Sequence, residues 1–221
     1  MKYFEIIINA DLPVTGKYPQ VKGLKINFHE ARASQWGIIR QWKSEDDIPD
    51  LNNFLFQKGS KLTDIVTNNF VNINSGIFIS EKAKSVFDSF RINGTIYPVS
   101  IYEQDKKHSY NFLWYEIGGK SKTDWKASVF MEYQTIEEQY GEIIPIEDFE
   151  DYKMKGRKLD TEKDGWDIVL KTLKLKEYFD ITPAFGIGLI CNEKVKNAIE
   201  ESHLTGFLFR QLDTEVVFEQ S

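Results

Sequence analysis

The 221-residue sequence contains a single cysteine, Cys191, and only six prolines and fourteen glycines. One cysteine excludes an intramolecular disulfide, and the scarcity of proline and glycine excludes collagen-like and low-complexity chains. Long hydrophobic runs are missing too: the longest uncharged stretch, residues 65–80, includes four asparagines, whereas a membrane-spanning helix needs about 20 mostly apolar residues. Glu5 interrupts the apolar N-terminal run, and no small-residue cleavage site follows. We therefore expect a cytoplasmic protein without a signal peptide or a membrane contact.

A basic excess is also lacking, because 28 Lys and Arg stand against 34 Asp and Glu and give a net charge of −6. Nucleic-acid binding depends on clustered Lys and Arg, so the sequence predicts no direct nucleic-acid partner. Aromatic residues are abundant, with 5 Trp, 10 Tyr and 16 Phe. That content excludes disorder as the main state. The length suits one large domain or two small ones, and no linker rich in Ser, Gly or Pro divides the chain, so a single domain over residues 1–221 is predicted.

Acidic residues are concentrated in residues 127–152, a window that contains no Lys or Arg. Two interpretations are open: a solvated acidic face, or a docking surface for a basic partner, since patches of one sign steer association. The second interpretation makes its eight acids candidate partner-binding residues: Glu132, Glu137, Glu138, Glu142, Glu147, Asp148, Glu150 and Asp151.

An internal repeat relates two segments at an offset of 112 residues, about 76–100 and 188–212. Each copy has a short apolar run, then Ser80 or Asn192 as a helix N-cap, then an acid and apolar residues at helical spacing. Gly94 and Gly206 follow in the two copies, each before a further apolar run. Each copy is therefore predicted to form strand, helix, glycine turn and strand. Because such a short unit cannot bury its own apolar face, we expect the two copies to share one core.

The remaining sequence favours an α+β fold with mostly antiparallel sheets. Strands are predicted at Tyr3–Asn9 and Leu24–Phe28, and either a strand or a helical turn is predicted at Trp36–Trp42. Residues 47–60 contain a proline and a glycine and read as irregular. Further along, the pattern predicts a hairpin with strands at 97–103 and 110–117, a strand at 125–133 with Val129, Met131 and Tyr133 on one face, a short charged helix at 149–159, and a strand or helix at 166–170.

Few residues occur in a pattern typical of a catalytic or metal-binding site. His29, His108 and His203 lie far apart and form no metal-binding motif, and a zinc site needs about four suitable ligands. Cys191 with His203 could form a thiol nucleophile and its base, but Cys191 lies in an apolar run and aligns with Ile79 of the first copy. It is more typical of a small buried side chain. We therefore predict no catalytic residue, no metal and no cofactor.

The two repeat copies, with Ile96-Tyr97-Pro98-Val99 and residues 110–116, resemble a bacterial family of roughly 200-residue immunity proteins from polymorphic toxin systems. The spacing of residues 124–128 before Val129 is also similar to the middle segment of that family. The resemblance covers residues 60–212, and the first 60 residues match poorly. It implies a non-enzymatic protein that binds and neutralises a toxin domain made by the same or a neighbouring cell. The family supplies no catalytic residues.

Many toxin domains are basic nucleases, for which the acidic window would imitate phosphate. Two alternatives remain open at this stage. One is a ligand- or glycan-binding module that uses exposed aromatics, for which the candidates include the five tryptophans at 36, 42, 114, 125 and 166. The other is an enzyme with an unrecognised site, which would gather His108 or His203 with buried carboxylates in a pocket.

Overall fold

The computed structural model describes residues 2–24, 51–68 and 76–219, in which the strands form three sheets. The strands are β1 Tyr3–Ile8, β2 Val21–Leu24, β3 Phe54–Phe56, β4 Ile65–Val66, β5 Gly76–Ser80, β6 Thr95–Glu103, β7 Lys106–Trp114, β8 Val129–Gln134, β9 Gln139–Ile144, β10 Trp166–Leu175, β11 Ile181–Ala184, β12 Gly188–Asn192, β13 Phe207–Gln211 and β14 Glu215–Phe218. The first sheet has the order β11-β12-β1-β13, the second β2-β3-β6-β7-β5-β4, and the third β14-β10-β8-β9.

Helices connect and cover these sheets. They are α1 Leu12–Thr15, α2 Glu81–Phe87, α3 Phe149–Glu162 and α4 Glu193–Glu201, with a short 3-10 turn at Ile117–Gly119. The strand pairs are antiparallel except for β3 with β6 and β10 with β14. This confirms the predicted α+β class with mostly antiparallel sheets. None of the helices in the described part of the chain is both long and apolar enough to span a membrane.

The predicted repeat is confirmed as two strand–helix–turn–strand units, β5-α2-β6 and β12-α4-β13. In each unit the side chain of the N-cap residue accepts a hydrogen bond from the backbone N–H three residues later. The Ser80 hydroxyl oxygen lies 3.1 Å from Ala83 N, and Asn192 Oδ1 lies 3.1 Å from Val195 N. Capping of this kind satisfies a first-turn amide that the helix itself leaves without a partner.

Each unit encloses an antiparallel strand between its own two strands, but that strand comes from different places in the sequence. β7 lies between β5 and β6 and follows β6 through a tight hairpin, whereas β1 lies between β12 and β13 and precedes them by most of the chain. A fourth strand completes each unit, since β4 pairs with β5 and β11 pairs with β12. The second unit therefore has the topology of the first with one strand supplied from the N-terminal end.

Two half-buried aspartates join the units reciprocally. Asp64, at the start of β4, accepts hydrogen bonds from the Ser80 hydroxyl at 2.7 Å and from the Thr205 N–H at 2.8 Å, so it ties the cap of one unit to the turn of the other. Asp180, at the start of β11, accepts from Asn192 Nδ2 at 2.6 Å and from the Arg91 N–H at 2.8 Å. We call this arrangement the reciprocal aspartate clamp. It places each helix cap beside the turn of the opposite unit.

The main hydrophobic core lies between the two units, as the repeat predicted. Its buried members come from both copies and include Ile79, Phe87, Cys191 and Ile199. The ring of Phe87 on α2 lies 6.2 Å from the ring of Phe207 on β13, centroid to centroid. The two copies therefore bury each other's apolar faces, which neither could bury alone.

Within the described residues, the third sheet buries side chains on one face only. That face carries Phe130, Ile168 and Leu170 against α3 and then Leu173 and Leu175 against the first sheet. The switch from even to odd numbers follows from a bulge in β10 between Leu170 and Thr172, because one extra residue reverses the side-chain alternation. On the other face, which carries Met131, Val169 and Ile143 in register, none of these three side chains is buried.

Several element predictions need correction. Residues 54–56, read as irregular, form β3 and pair with β2 and β6. Val129, Met131 and Tyr133 do share a face, but Phe130 on the opposite face is the buried residue of β8. The charged helix extends to residue 162. Of the two alternatives for residues 166–170, the structure has the strand, as part of β10. Of the strand predicted at Leu24–Phe28, only Leu24, the last residue of β2, lies in the described part of the chain. The prediction for Trp36–Trp42 lies outside the described residues.

Replacing Asp64 tests how much the reciprocal aspartate clamp contributes to stability. We expect Asp64→Ala to lower the free energy of unfolding by about 2 kcal/mol, because a hydrogen bond to a charged group contributes about 1.5–3 kcal/mol. The bond from the Ser80 hydroxyl is half-buried, whereas those from Thr205 are exposed and contribute less. Urea denaturation measures this change. Asp213→Ala is the control, since Asp213 is exposed and has no side-chain hydrogen bond to a described residue. Equal losses in the two variants would contradict the role of the clamp.

Asp180, the second aspartate of the clamp, predicts that the free energy of unfolding depends on pH. Burial opposes ionisation of Asp180, but hydrogen bonds from Tyr178, the Arg91 N–H and Asn192 outweigh it and hold the pKa of the carboxyl below its usual value. The resulting stability is present above the unfolded pKa, about 3.9, and is lost as the pH falls through the lower folded value. We expect the difference in unfolding free energy between the natural protein and Asp180→Asn to shrink as urea titrations move from about pH 6 to below pH 4. A constant difference would contradict this assignment.

Candidate functional site

The eight acids of the predicted docking surface lie on the β8–β9 hairpin, on the loop after it and on the first turn of α3. β9 is the edge strand of the third sheet among the described residues. Glu137 and Glu138 lie in the turn before β9, Glu142 lies within it, and Glu147 lies shortly after it. The hairpin therefore distributes acids along the edge of the sheet rather than in one cluster.

Four of the eight acids are held by contacts within the chain. The Glu132 carboxylate lies 2.8 Å from Lys163 Nζ, and Glu150 lies 2.6 Å from Lys153 Nζ. Asp148 is the N-cap of α3 and accepts from the Asp151 N–H at 2.8 Å. The hydrogen bond from Lys155, followed by that from the Glu147 N–H, lowers the pKa of the Asp151 carboxyl. These four acids already have a structural explanation.

The other four acids, Glu137, Glu138, Glu142 and Glu147, are exposed. Their carboxylates form no hydrogen bond or ion pair with the rest of the described chain. Four uncompensated negative charges therefore follow the edge of the sheet. The sequence does not distinguish among the eight acids, whereas the structure separates four that make contacts within the chain from four that do not. We call the second group, Glu137, Glu138, Glu142 and Glu147, the uncommitted acids.

Large apolar side chains are exposed among the uncommitted acids. Ile136 in the turn is 84% exposed, Ile143 on β9 is 65% exposed and Tyr140 on β9 is 47% exposed. The ring of Tyr140 lies 5.0 Å from that of Tyr133, and Lys171 Nζ lies 3.9 Å from the Tyr140 centroid, so this ring is held in place. Exposed apolar residues grouped on one surface are typical of protein–protein contacts. We call Ile136, Tyr140 and Ile143, with Glu137, Glu138, Glu142 and Glu147, the hairpin surface.

Sequence reasoning found the acids of this surface but missed its strand and its apolar residues. A signal was present, because residues 135–138 separate two short segments that contain tyrosine and isoleucine, a pattern compatible with a hairpin. Gly141 carries a second signal. A Cβ at this position would lie 2.6 Å from Glu132 Oε2 and 2.7 Å from the Trp166 ring, so the backbone of β9 passes close beneath both side chains.

The thiol considered as a nucleophile is buried, away from the histidine considered as its base. Cys191 is 0% exposed in the main core, and burial raises the pKa of its thiol to about 12. His203 is exposed, at the end of α4. The interpretation of Cys191 as a small buried side chain is therefore confirmed.

The other candidates for chemistry are distributed over the molecule. His108 Nε2 lies 3.5 Å from the Glu103 carboxylate on the β6–β7 hairpin, and His29 lies outside the described residues. A cavity of about 340 Å³ lies between α3 and β10 and is lined by residues that include Tyr152, Asp167 and Phe185. Within residues 2–24, 51–68 and 76–219, no group of three or more His, Cys, Asp or Glu is arranged to hold a metal ion.

Tryptophans do not form an exposed row in the described part of the chain. Trp125 is buried in the core under α3, and Trp114 and Trp166 are half-buried. Trp36 and Trp42 lie outside the described residues. Comparison with known proteins adds no family, since no protein-family model matches the chain and no curated protein matches it significantly.

The separation of the eight acids into two groups predicts that their replacement changes the free energy of unfolding to different extents. We expect Asp148→Ala to lower the free energy of unfolding by about 1 kcal/mol, because it removes the N-cap of α3. Glu137→Gln is expected to change it by less than about 0.5 kcal/mol, as exposed substitutions without contacts do. Urea denaturation of the two variants measures both values. A larger loss in Glu137→Gln than in Asp148→Ala would contradict the division.

The buried thiol makes a second prediction. We expect Cys191 of the folded protein to resist a thiol reagent such as dithionitrobenzoate, because the reactive thiolate is scarce and the sulfur is covered. The thiol should react fully in urea concentrations that unfold the chain. Absorbance of the released thionitrobenzoate measures the rate. Rapid labelling of the folded protein at neutral pH would show that the thiol is accessible.

Proposed function

We propose that this protein is an immunity protein that binds a toxin domain through the hairpin surface and neutralises it without catalysis. The observation that carries the proposal is the coincidence of exposed Ile136, Tyr140 and Ile143 with four uncommitted acids on one edge of the molecule. The apolar side chains supply area to bury, and the acids supply charge selectivity. The resemblance of residues 60–212 to immunity proteins supports the same interpretation.

The charge of the surface favours a basic partner. A partner rich in Lys and Arg would gain from encountering four uncompensated carboxylates, and complementary charge mainly accelerates association. Basic nucleases are one such class, because they bind phosphate chains with clustered Lys and Arg. Carboxylates along the edge of β9 would then occupy the positions that phosphates take in the toxin's own substrate.

Co-expression tests the proposal. The partner to use is the C-terminal domain of a large secreted protein encoded beside the gene for this chain. We expect the natural protein to restore growth of cells that make this domain. A variant with Glu137, Glu138, Glu142 and Glu147 all changed to Gln should bind it at least tenfold more weakly by calorimetry, and the affinity of the natural protein should fall more steeply with salt than that of the variant.

The matched control changes the same net charge elsewhere. Glu193, Glu201, Glu215 and Glu219 are exposed on α4 and on β14 and its end, and their side chains form no hydrogen bond or ion pair within the described residues. Their replacement by Gln should leave the affinity within about twofold, with both variants checked for unaltered unfolding. Equal weakening by the two quadruple variants would exclude the hairpin surface as the interface. Failure of the natural protein to bind or protect would contradict the function itself.

A further inference from the structure

The sheets expose their edges unequally. In the described residues β4 and β11 are edge strands whose side chains are all buried. Among the described residues, three edge strands have no buried side chain, β9, β13 and β14. On β14, Val216 and Phe218 pack against the core beside Leu173 and Leu175. On β13 the exposed charge is compensated, because Arg210 forms an ion pair with Glu5. β9 combines an uncovered edge with exposed apolar side chains and uncompensated acids.

The direction of the backbone groups on β9 follows from the strands beside it. The carbonyls of Ile168 and Leu170 on β10 accept hydrogen bonds from the Tyr152 and Thr214 hydroxyls, on the side away from β8. Backbone groups alternate in direction along a strand. The N–H and C=O groups of Val169 therefore bond those of its partner Met131, and the N–H and C=O groups of Phe130 point toward β9.

The same alternation continues into β9. Phe130 pairs with Ile144, and Gln134 pairs with Gln139. The backbone N–H and C=O groups of Gln139 and Ile144 are therefore used inside the sheet. Those of Tyr140 and Ile143 point outward from the edge, where no described strand receives them. These are the same two residues whose side chains are exposed on the uncovered face of the sheet.

We propose that β9 binds an extended, basic segment of the partner protein as an added strand, with main-chain hydrogen bonds to Tyr140 and Ile143 and with Lys or Arg side chains beside the acids of the hairpin surface. Strand addition is a recurrent mode of peptide recognition, in which the backbone supplies affinity and alternate side chains supply specificity. Acidic residues on an edge prevent pairing with a second copy of the same strand, but they favour a strand of opposite charge. This inference rests on the proposed function for the identity of the partner.

A defined peptide tests the mode of binding. The probe is a seven-residue peptide of alternating lysine and valine, blocked at both ends. We expect saturable binding, and at least tenfold slower hydrogen exchange for the amides of Tyr140 and Ile143 when the peptide is bound. The amides of Gln139 and Ile144, which pair with β8, serve as internal references that are protected with or without peptide.

Two control peptides separate strand addition from charge attraction. A fully N-methylated peptide of the same sequence retains the charge but cannot form the strand ladder, and we expect at least tenfold weaker binding. A peptide with glutamate in place of lysine should not bind. The proposal is overturned if the N-methylated peptide binds equally well, if the amides of Tyr140 and Ile143 stay unprotected, or if the lysine peptide shows no binding at millimolar concentration.

Variants of one residue connect this mode to toxin neutralisation. Ile143→Pro removes an outward N–H without removing a bond to β8, whereas Ile143→Thr keeps the N–H and the branched shape. We expect toxin affinity to fall at least tenfold in the first variant and less in the second, at equal thermal stability. If the toxin is neutralised and Ile143→Pro has no effect, strand addition is wrong and the function stands. If the peptide adds to β9 but no toxin is neutralised, strand addition stands and the proposed function is wrong.

Discussion

The structure depends on two carboxylates that each connect a helix cap in one half of the molecule to a turn in the other. Asp64 and Asp180 occupy equivalent positions before β4 and β11, and each receives a backbone N–H from the opposite unit. Because each carboxylate also contacts the N-cap residue of its own unit, capping of the helix and docking of the units are coupled. The same hydrogen bonds fix the relative position of the two units, whose apolar faces form the shared core.

Local signals predicted this part of the fold well. The N-caps Ser80 and Asn192, the helices that follow them and the glycine turns depend on residues close in sequence, and all three features were found in both copies. Gly206 shows why the turn is constrained, since a Cβ there would lie 2.7 Å from the Ile65 carbonyl oxygen. The clamp was not predictable in the same way. Asp64 and Thr205 are 141 residues apart, and four extra residues between Asp64 and Ser80, relative to Asp180 and Asn192, hide the equivalence from an alignment without gaps.

The candidate site was predicted in part, for a related reason. Charge can be counted along a sequence, so the acidic window was found, but the partner of each acid is set by the fold. Lys163 compensates Glu132 only because the fold brings the end of α3 beside β8, whereas Lys155 compensates Asp151 from one turn further along the same helix. β9 escaped prediction because its residues, including Gly141 and Glu142, have weak strand preference and its pairing is interrupted by a bulge. The structure is therefore needed to distinguish the uncommitted acids from the four that make contacts within the chain.

One topological feature affects how the chain reaches this state. β1 precedes the other described strands, yet its partners β12 and β13 come late in the strand order. The first unit can close as soon as β7 has emerged from the ribosome, while the second must wait for β12 and β13. β1 therefore stays without its sheet while the strands between them are synthesised, and a chain that ends before β12 lacks both the second unit and half of the clamp. Premature termination should consequently yield a species that exposes apolar surface, which cellular quality control recognises and degrades.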